Sequence, residues 1–189
     1  MNRFLRHALA TTALAVTALT VHAGEAGYVD LGQFKPADGC QYVEVNLHAP
    51  LLKFAAAFVD KDEPELAKLI RDLKRVRVNV VGYNDTTRAD TTDRVQGLRR
   101  ELEKQGWMQI VTVQQQGEKD ADDVAIYVKM AADESVDGLV VTVLDTRQDQ
   151  AVVVNIVGNI KPEQLVALGK GLHIEPLAQL RMKSDAKRS

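Results

Sequence analysis

Between residues 107 and 157 the chain makes the same move four times. A run of alternating or continuous apolar residues is followed by a short polar connection. The runs are residues 107–115, 123–130, 138–145 and 151–157. The connections hold residues 117–122, 133–137 and 146–150. Short polar connections between alternating runs join neighbours of opposite direction. The pattern therefore predicts an antiparallel meander.

The segments before the meander supply its partners. Residues 41–47 alternate, with Tyr42, Glu44 and Asn46 against Val43, Val45 and Leu47, as a strand does. Residues 50–59 carry Leu51, Phe54, Ala55 and Phe58 at helical spacing. Asp62 and Glu65 have the spacing of a capping box. The helix they open presents Leu66, Leu69, Ile70 and Leu73 on one side. A strand is predicted over 75–83, with Val76, Val78 and Val80 on one face and Arg77 and Asn79 on the other. A helix carrying Val95, Leu98 and Leu102 runs to about Gln105, where Gly106 can stop it. After the meander, Pro162 opens a last helix with Leu165, Val166 and Leu168, closed by Gly169 and Gly171.

Strand, two helices, strand, helix, four strands, helix is an α+β order. It predicts a mainly antiparallel sheet of about six strands with helices packed on one face. A chain of 189 residues, 46% of them hydrophobic, can bury one such core. The organisation read from the sequence is a signal peptide over 1–23, an N-terminal leader over 24–40, one α+β domain over 41–178 and a flexible polar tail over 179–189.

The second face of the sheet mixes polar side chains with Val. Arg77, Asn79, Tyr127, Lys129 and Asn155 fall on it, beside Gln109 and Thr142. Antiparallel sheets normally turn one face to water, and that accounts for such a mixture. Tyr and Arg are also enriched in docking patches, so these five residues form the candidate interaction face, for a protein partner or for self-association.

The N-terminus reads as an address. Arg3 and Arg6 precede an apolar run over 8–21, and Val21-His22-Ala23 suits signal peptidase, with a second possible cut after Ala26. The run is shorter than the roughly 20 residues that span a bilayer. The mature chain is therefore expected to have no transmembrane segment and to be periplasmic or secreted. Losing Arg3 and Arg6 leaves 22 basic against 26 acidic residues, a net charge of −4. Nucleic-acid binders are usually basic, so no nucleic acid is expected. The single cysteine, Cys40, cannot form an internal disulfide. It lies too far from the apolar run for a lipid-anchoring signal.

Chemistry-bearing motifs are few. His48 and His173 are the histidines left after signal removal, and neither has metal-type spacing. None of Ser135, Ser184 and Ser189 lies in Gly-x-Ser-x-Gly. The acidic stretch 118–123 lacks the Gly and distal Glu of a Ca²⁺ loop. Asn84-Asp85-Thr86 matches a glycosylation sequon, a pattern common by chance. No cofactor is expected. The reading is a non-catalytic interaction module. The alternative is a small metal-dependent or hydrolytic enzyme built on His48 with Glu44 or Asp120.

Several short stretches, taken in order, resemble the bacterial domain-of-unknown-function family DUF4252. They are Leu66-x-x-Leu69-Ile70 with the strand over 76–83, Gly106-Trp107, Ile126-Tyr127-Val128-Lys129, Gly138-Leu139-Val140-Val141, and the run over 153–160 leading into Gln164-Leu165. The resemblance covers about residues 41–177. It implies an exported or lipid-anchored envelope protein, in some cases encoded beside sigma-factor and anti-sigma genes. It offers no catalytic residue to carry over. Many members have a lipoprotein cysteine; this chain does not, so anchoring does not carry over.

Overall fold

The computed structural model describes residues 25–32, 34–59, 64–114, 122–161 and 164. Among these residues nine elements follow one another: β1 (Tyr42–His48), α1 (Ala49–Ala55), α2 (Pro64–Asp72), β2 (Leu73–Gly82), α3 (Arg88–Lys104), β3 (Met108–Gln114), β4 (Asp122–Met130), β5 (Val136–Asp145) and β6 (Gln150–Ile160). The six strands form one sheet in the order β1-β2-β6-β5-β4-β3, with every neighbouring pair antiparallel. The fold is α+β and mostly sheet, and the meander predicted from 107 onward is β3 to β6. The helix predicted from Pro162 and the capping residue Asp62 lie outside the described residues.

Strand order decides where the helices go. β1 and β2 are neighbours, so α1 and α2 between them fold back over one face. β2 and β3 point the same way but are separated by β6, β5 and β4. A connection between such strands must cross a face of the sheet, and α3 makes that crossing. It crosses the face opposite to α1 and α2. The expectation of helices on one face is thereby corrected: among the described residues α1 and α2 lie on one side and α3 on the other.

The first face, face B, is built from Val, Leu and Ile. Leu52 of α1, and Leu69 of α2 with the adjoining Leu73, pack onto Ile126, Leu139, Val141 and Ile156. Period-two alternation places these strand residues on one side, so the helices close a purely apolar layer. The second, face A, carries Ala125, Tyr127, Val140 and Val153. It is covered by Leu102 of α3, by Trp107, and by Val29, Leu31 and Phe34 of the segment before β1.

That segment belongs to the leader expected over 24–40, of which residues 25–32 and 34–40 are described. Among those described residues it has no regular secondary structure, yet it is docked. Gly27 (φ +83°) lies so close to β5 that an added Cβ would stand 2.0 Å from the Asp137 carbonyl oxygen. A Cβ on Gly138 would in turn meet Gly27 at 2.5 Å. Two glycines are needed because two backbones touch.

The termini of α3 follow from local chemistry. The Asn84 side-chain oxygen accepts from the Thr86 and Thr87 amides and orders the turn before the helix. At the other end Gly106 takes φ +77°. Its amide reaches the Glu103 carbonyl, and that of Trp107 reaches Leu102, which satisfies the last carbonyls. Among the described residues no helix is long and apolar enough to cross a membrane.

Candidate functional site

The five residues expected on an open interaction face all lie on face A, and the register explains why. Arg77 pairs with Asn155, Asn155 with Val140, and Val140 with Tyr127, so one row of face A carries Arg77, Asn155 and Tyr127. Asn79 lies two residues further along β2 and pairs with Val153. The row is not open to water. Arg77 is 8% exposed, Asn79 and Tyr127 1%, and Asn155 not at all; Lys129 is half-buried. The expectation of an exposed sheet face is corrected here. The segment 25–37 and α3 lie over it.

Four of the five residues have partners, and each has different ones. Asn155 uses both ends of its carboxamide on the covering segment. Its Oδ1 accepts from the Val29 amide at 3.1 Å, and its Nδ2 donates to the Gly27 carbonyl at 3.0 Å. A second contact from Nδ2 reaches the Leu139 carbonyl at 3.3 Å. A buried amide thus reads two main-chain groups of an extended segment, which is the pairing its burial requires.

Arg77 Nη1 donates to the Tyr28 hydroxyl at 3.0 Å, and Nη2 lies 3.5 Å from a Glu44 carboxylate oxygen. The guanidiniums of Arg75 and Arg77 stand 4.8 and 5.8 Å from the centre of the Tyr28 ring. Two cations on one ring hold Tyr28 over β2. Asn79 has no such arrangement: its Nδ2 and Oδ1 are buried without partners among the described residues, as are Nε of Arg75 and of Arg77.

Tyr127 sits beneath α3, its hydroxyl 3.4 Å from Glu103 Oε1. Burial pushes its phenol above the usual value; the negative Glu103 adds to this, while Arg99 works against it. Lys129 Nζ donates to the Gln105 carbonyl at 2.6 Å, at the end of α3. It caps a helix.

Arg99 belongs to this face and was missed. Its Nε donates to Thr142 Oγ1 at 2.8 Å, and its Nη1 reaches both Asp123 carboxylate oxygens at 2.9 Å. The signal was present: Arg99 stands four residues after Val95 and three before Leu102, inside the apolar stripe of α3. A charge in that stripe has to find a buried partner, and Asp123 with Thr142 provides one.

His48 is exposed at the end of β1, and Glu44 accepts from the Tyr42 hydroxyl at 2.9 Å while facing Arg77. Asp120 lies outside the described residues. Among the described residues no group of three or more His, Cys, Asp or Glu is placed to hold a metal ion.

An α+β sheet whose polar row is occupied by its own chain defines a class by architecture. The chain matches the family model for the domain of unknown function DUF4252 over residues 37–168. It belongs to that family. No curated protein and no solved structure matches it. The matched region begins where the covering segment ends, so most of that segment lies outside it.

Proposed function

We propose that this chain is an exported bacterial envelope protein that works as a non-catalytic protein-interaction module. The carrying observation is the Asn155 carboxamide, which pairs with the main chain of residues 27 and 29 on face A. That is recognition of extended polypeptide, a chemistry that needs no nucleophile and no metal. The signal-like N-terminus supports the exported address. The family resemblance adds envelope signalling as its setting.

The test uses the full-length gene in its own host. Fractionation and intact mass read the address, and a photo-cross-linking residue at exposed Tyr42 on β1 reads the partner. The reading expects a periplasmic or secreted chain without its first 23 residues and a discrete cross-linked species. A chain of full mass in the cytoplasm would overturn the address. Illumination that returns only the uncross-linked monomer would overturn the module.

A further inference from the structure

Residues 25–37 bind face A in the way a separate peptide would. They add no strand to the sheet, and among the described residues they hold it by side chains and a few main-chain groups. Gly27 fills a seat too small for any side chain, Tyr28 lies under two guanidiniums, and Val29, Leu31 and Phe34 enter the apolar cluster. The fit is nevertheless incomplete. Arg75, Arg77 and Asn79 form a strip of β2 between this strap and the exposed Tyr42, Glu44 and Asn46 of β1. Among the described residues four buried atoms of that strip find no partner: both ends of the Asn79 carboxamide and the two Nε atoms. Two register pairs away, on the same face, Asn155 shows what such a carboxamide does here when an extended chain lies within reach. A buried polar group without a partner carries its full desolvation penalty. The closed strap therefore leaves its own floor unsatisfied.

We infer that face A is a peptide-binding furrow and that residues 25–37 are its resident, exchangeable ligand. The partner is an extended segment of another protein that takes the strap's seats, with glycine at the Gly27 position and an aromatic ring at the Tyr28 position. It brings in addition a main-chain or amide group to Asn79. This rests on the interaction-module reading above and names its site and the kind of partner. The strap is then an autoinhibitory contact, and Asn79 keeps it from closing too tightly.

Hydrogen exchange on the full mature chain tests this without any variant. The Val29 amide, held by Asn155, reports strap opening, and the central amides of β5 and β6 report global unfolding. The inference expects Val29 to exchange about 100-fold faster than those amides. Asn79→Val removes the unpartnered carboxamide and should slow Val29 exchange about 10-fold. A labelled peptide of residues 24–38 should bind the Gly27→Ala chain, whose strap is forced out, at least about 10-fold tighter than the wild type. Val29 exchange at the global rate would overturn the inference, as would faster exchange in Asn79→Val. Should Gly27→Ala fail to fold, the wild-type exchange still decides. A cross-linked partner together with a strap that never opens would sink the furrow and leave the module reading standing.

Discussion

The two faces of the sheet are covered by different means. Face B is closed by α1 and α2, whose apolar sides meet an apolar floor. Face A is closed by α3 and by a segment without regular structure, over a floor that contains Arg77, Asn79, Thr142 and Asn155, all of them buried. Burial on face B needs only shape and apolar area. On face A each buried polar group needs a specific partner, and the partners come from sequence-distant places: Asn155 meets Gly27 and Val29, and Arg99 of α3 meets Asp123. The comparison teaches that a mixed face is not evidence of exposure. It is equally the face of a polar network under a cover.

The sharpest way to break that comparison is to remove one partner on each side. Asp123→Ala leaves the guanidinium of Arg99, a buried residue, without its carboxylate. Removing one member of a buried pair costs about 3–5 kcal/mol, with the lower figure expected because Asp123 retains some solvent contact. Leu69→Ala on face B, at full burial, should cost about 2–5 kcal/mol through lost transfer energy and the cavity left behind. Denaturant unfolding measures both. The contrast lies in repair: Arg99→Met should recover much of the Asp123→Ala loss and none of the Leu69→Ala loss.

A smaller effect is expected where the strap meets the sheet. Asn155→Ala frees the Val29 amide and the Gly27 and Leu139 carbonyls, at a cost of about 1–3 kcal/mol. The loss should appear as faster proteolysis within residues 25–37 before the sheet opens. A uniform loss, with strap and sheet opening together, would mean the two faces are one cooperative unit.

The alkaline limb sharpens the same contrast, because face A carries the buried phenol of Tyr127. Its folded pKa is raised by burial above the ordinary tyrosine value. A raised group contributes stability that is fully present below its unfolded pKa, and this is lost as pH rises through the folded one. With an unfolded value near 10, the chain should begin to lose stability above about pH 10. Tyr83 contributes with the same sign, since burial raises its pKa too. In Tyr127→Phe the alkaline loss should be shallower while stability at pH 7 changes little. An unchanged alkaline limb would show that the phenol is solvated in the folded state.

The sequence carried the periodicities well, and they account for what was legible. The meander from 107 to 157 showed period two and short connections, and both are local properties. The apolar stripe Leu66, Leu69, Ile70 and Leu73 is local too, and it lies on face B as its pattern required. Strand order is not local. Nothing in residues 73–114 says that three strands will come between β2 and β3, and that separation sends α3 across face A. The fate of Arg77 and Asn155 followed from it, together with the docking of residues 25–37. The glycines of that segment read as loop composition, whereas Gly27 is there because the backbone of β5 leaves room for nothing larger.

Lys129 is where the two ways of reading face A give opposite numbers. If it were a docking residue on an open face, its loss would spare stability and weaken binding. In the structure its ammonium group donates to the Gln105 carbonyl at the end of α3. A cation there meets the negative end of the helix dipole and an otherwise unpaired carbonyl, a half-exposed interaction worth below about 1 kcal/mol. Lys129→Met keeps the aliphatic stem and removes only the charge, so the unfolding midpoint should fall slightly and the fall should shrink at high salt. Gly106→Ala, which forces φ +77° on a residue with a side chain, should cost about 1 kcal/mol at the same terminus and respond little to salt. A salt-independent loss in Lys129→Met would mean that packing of the stem, and not the cap, is what the lysine contributes.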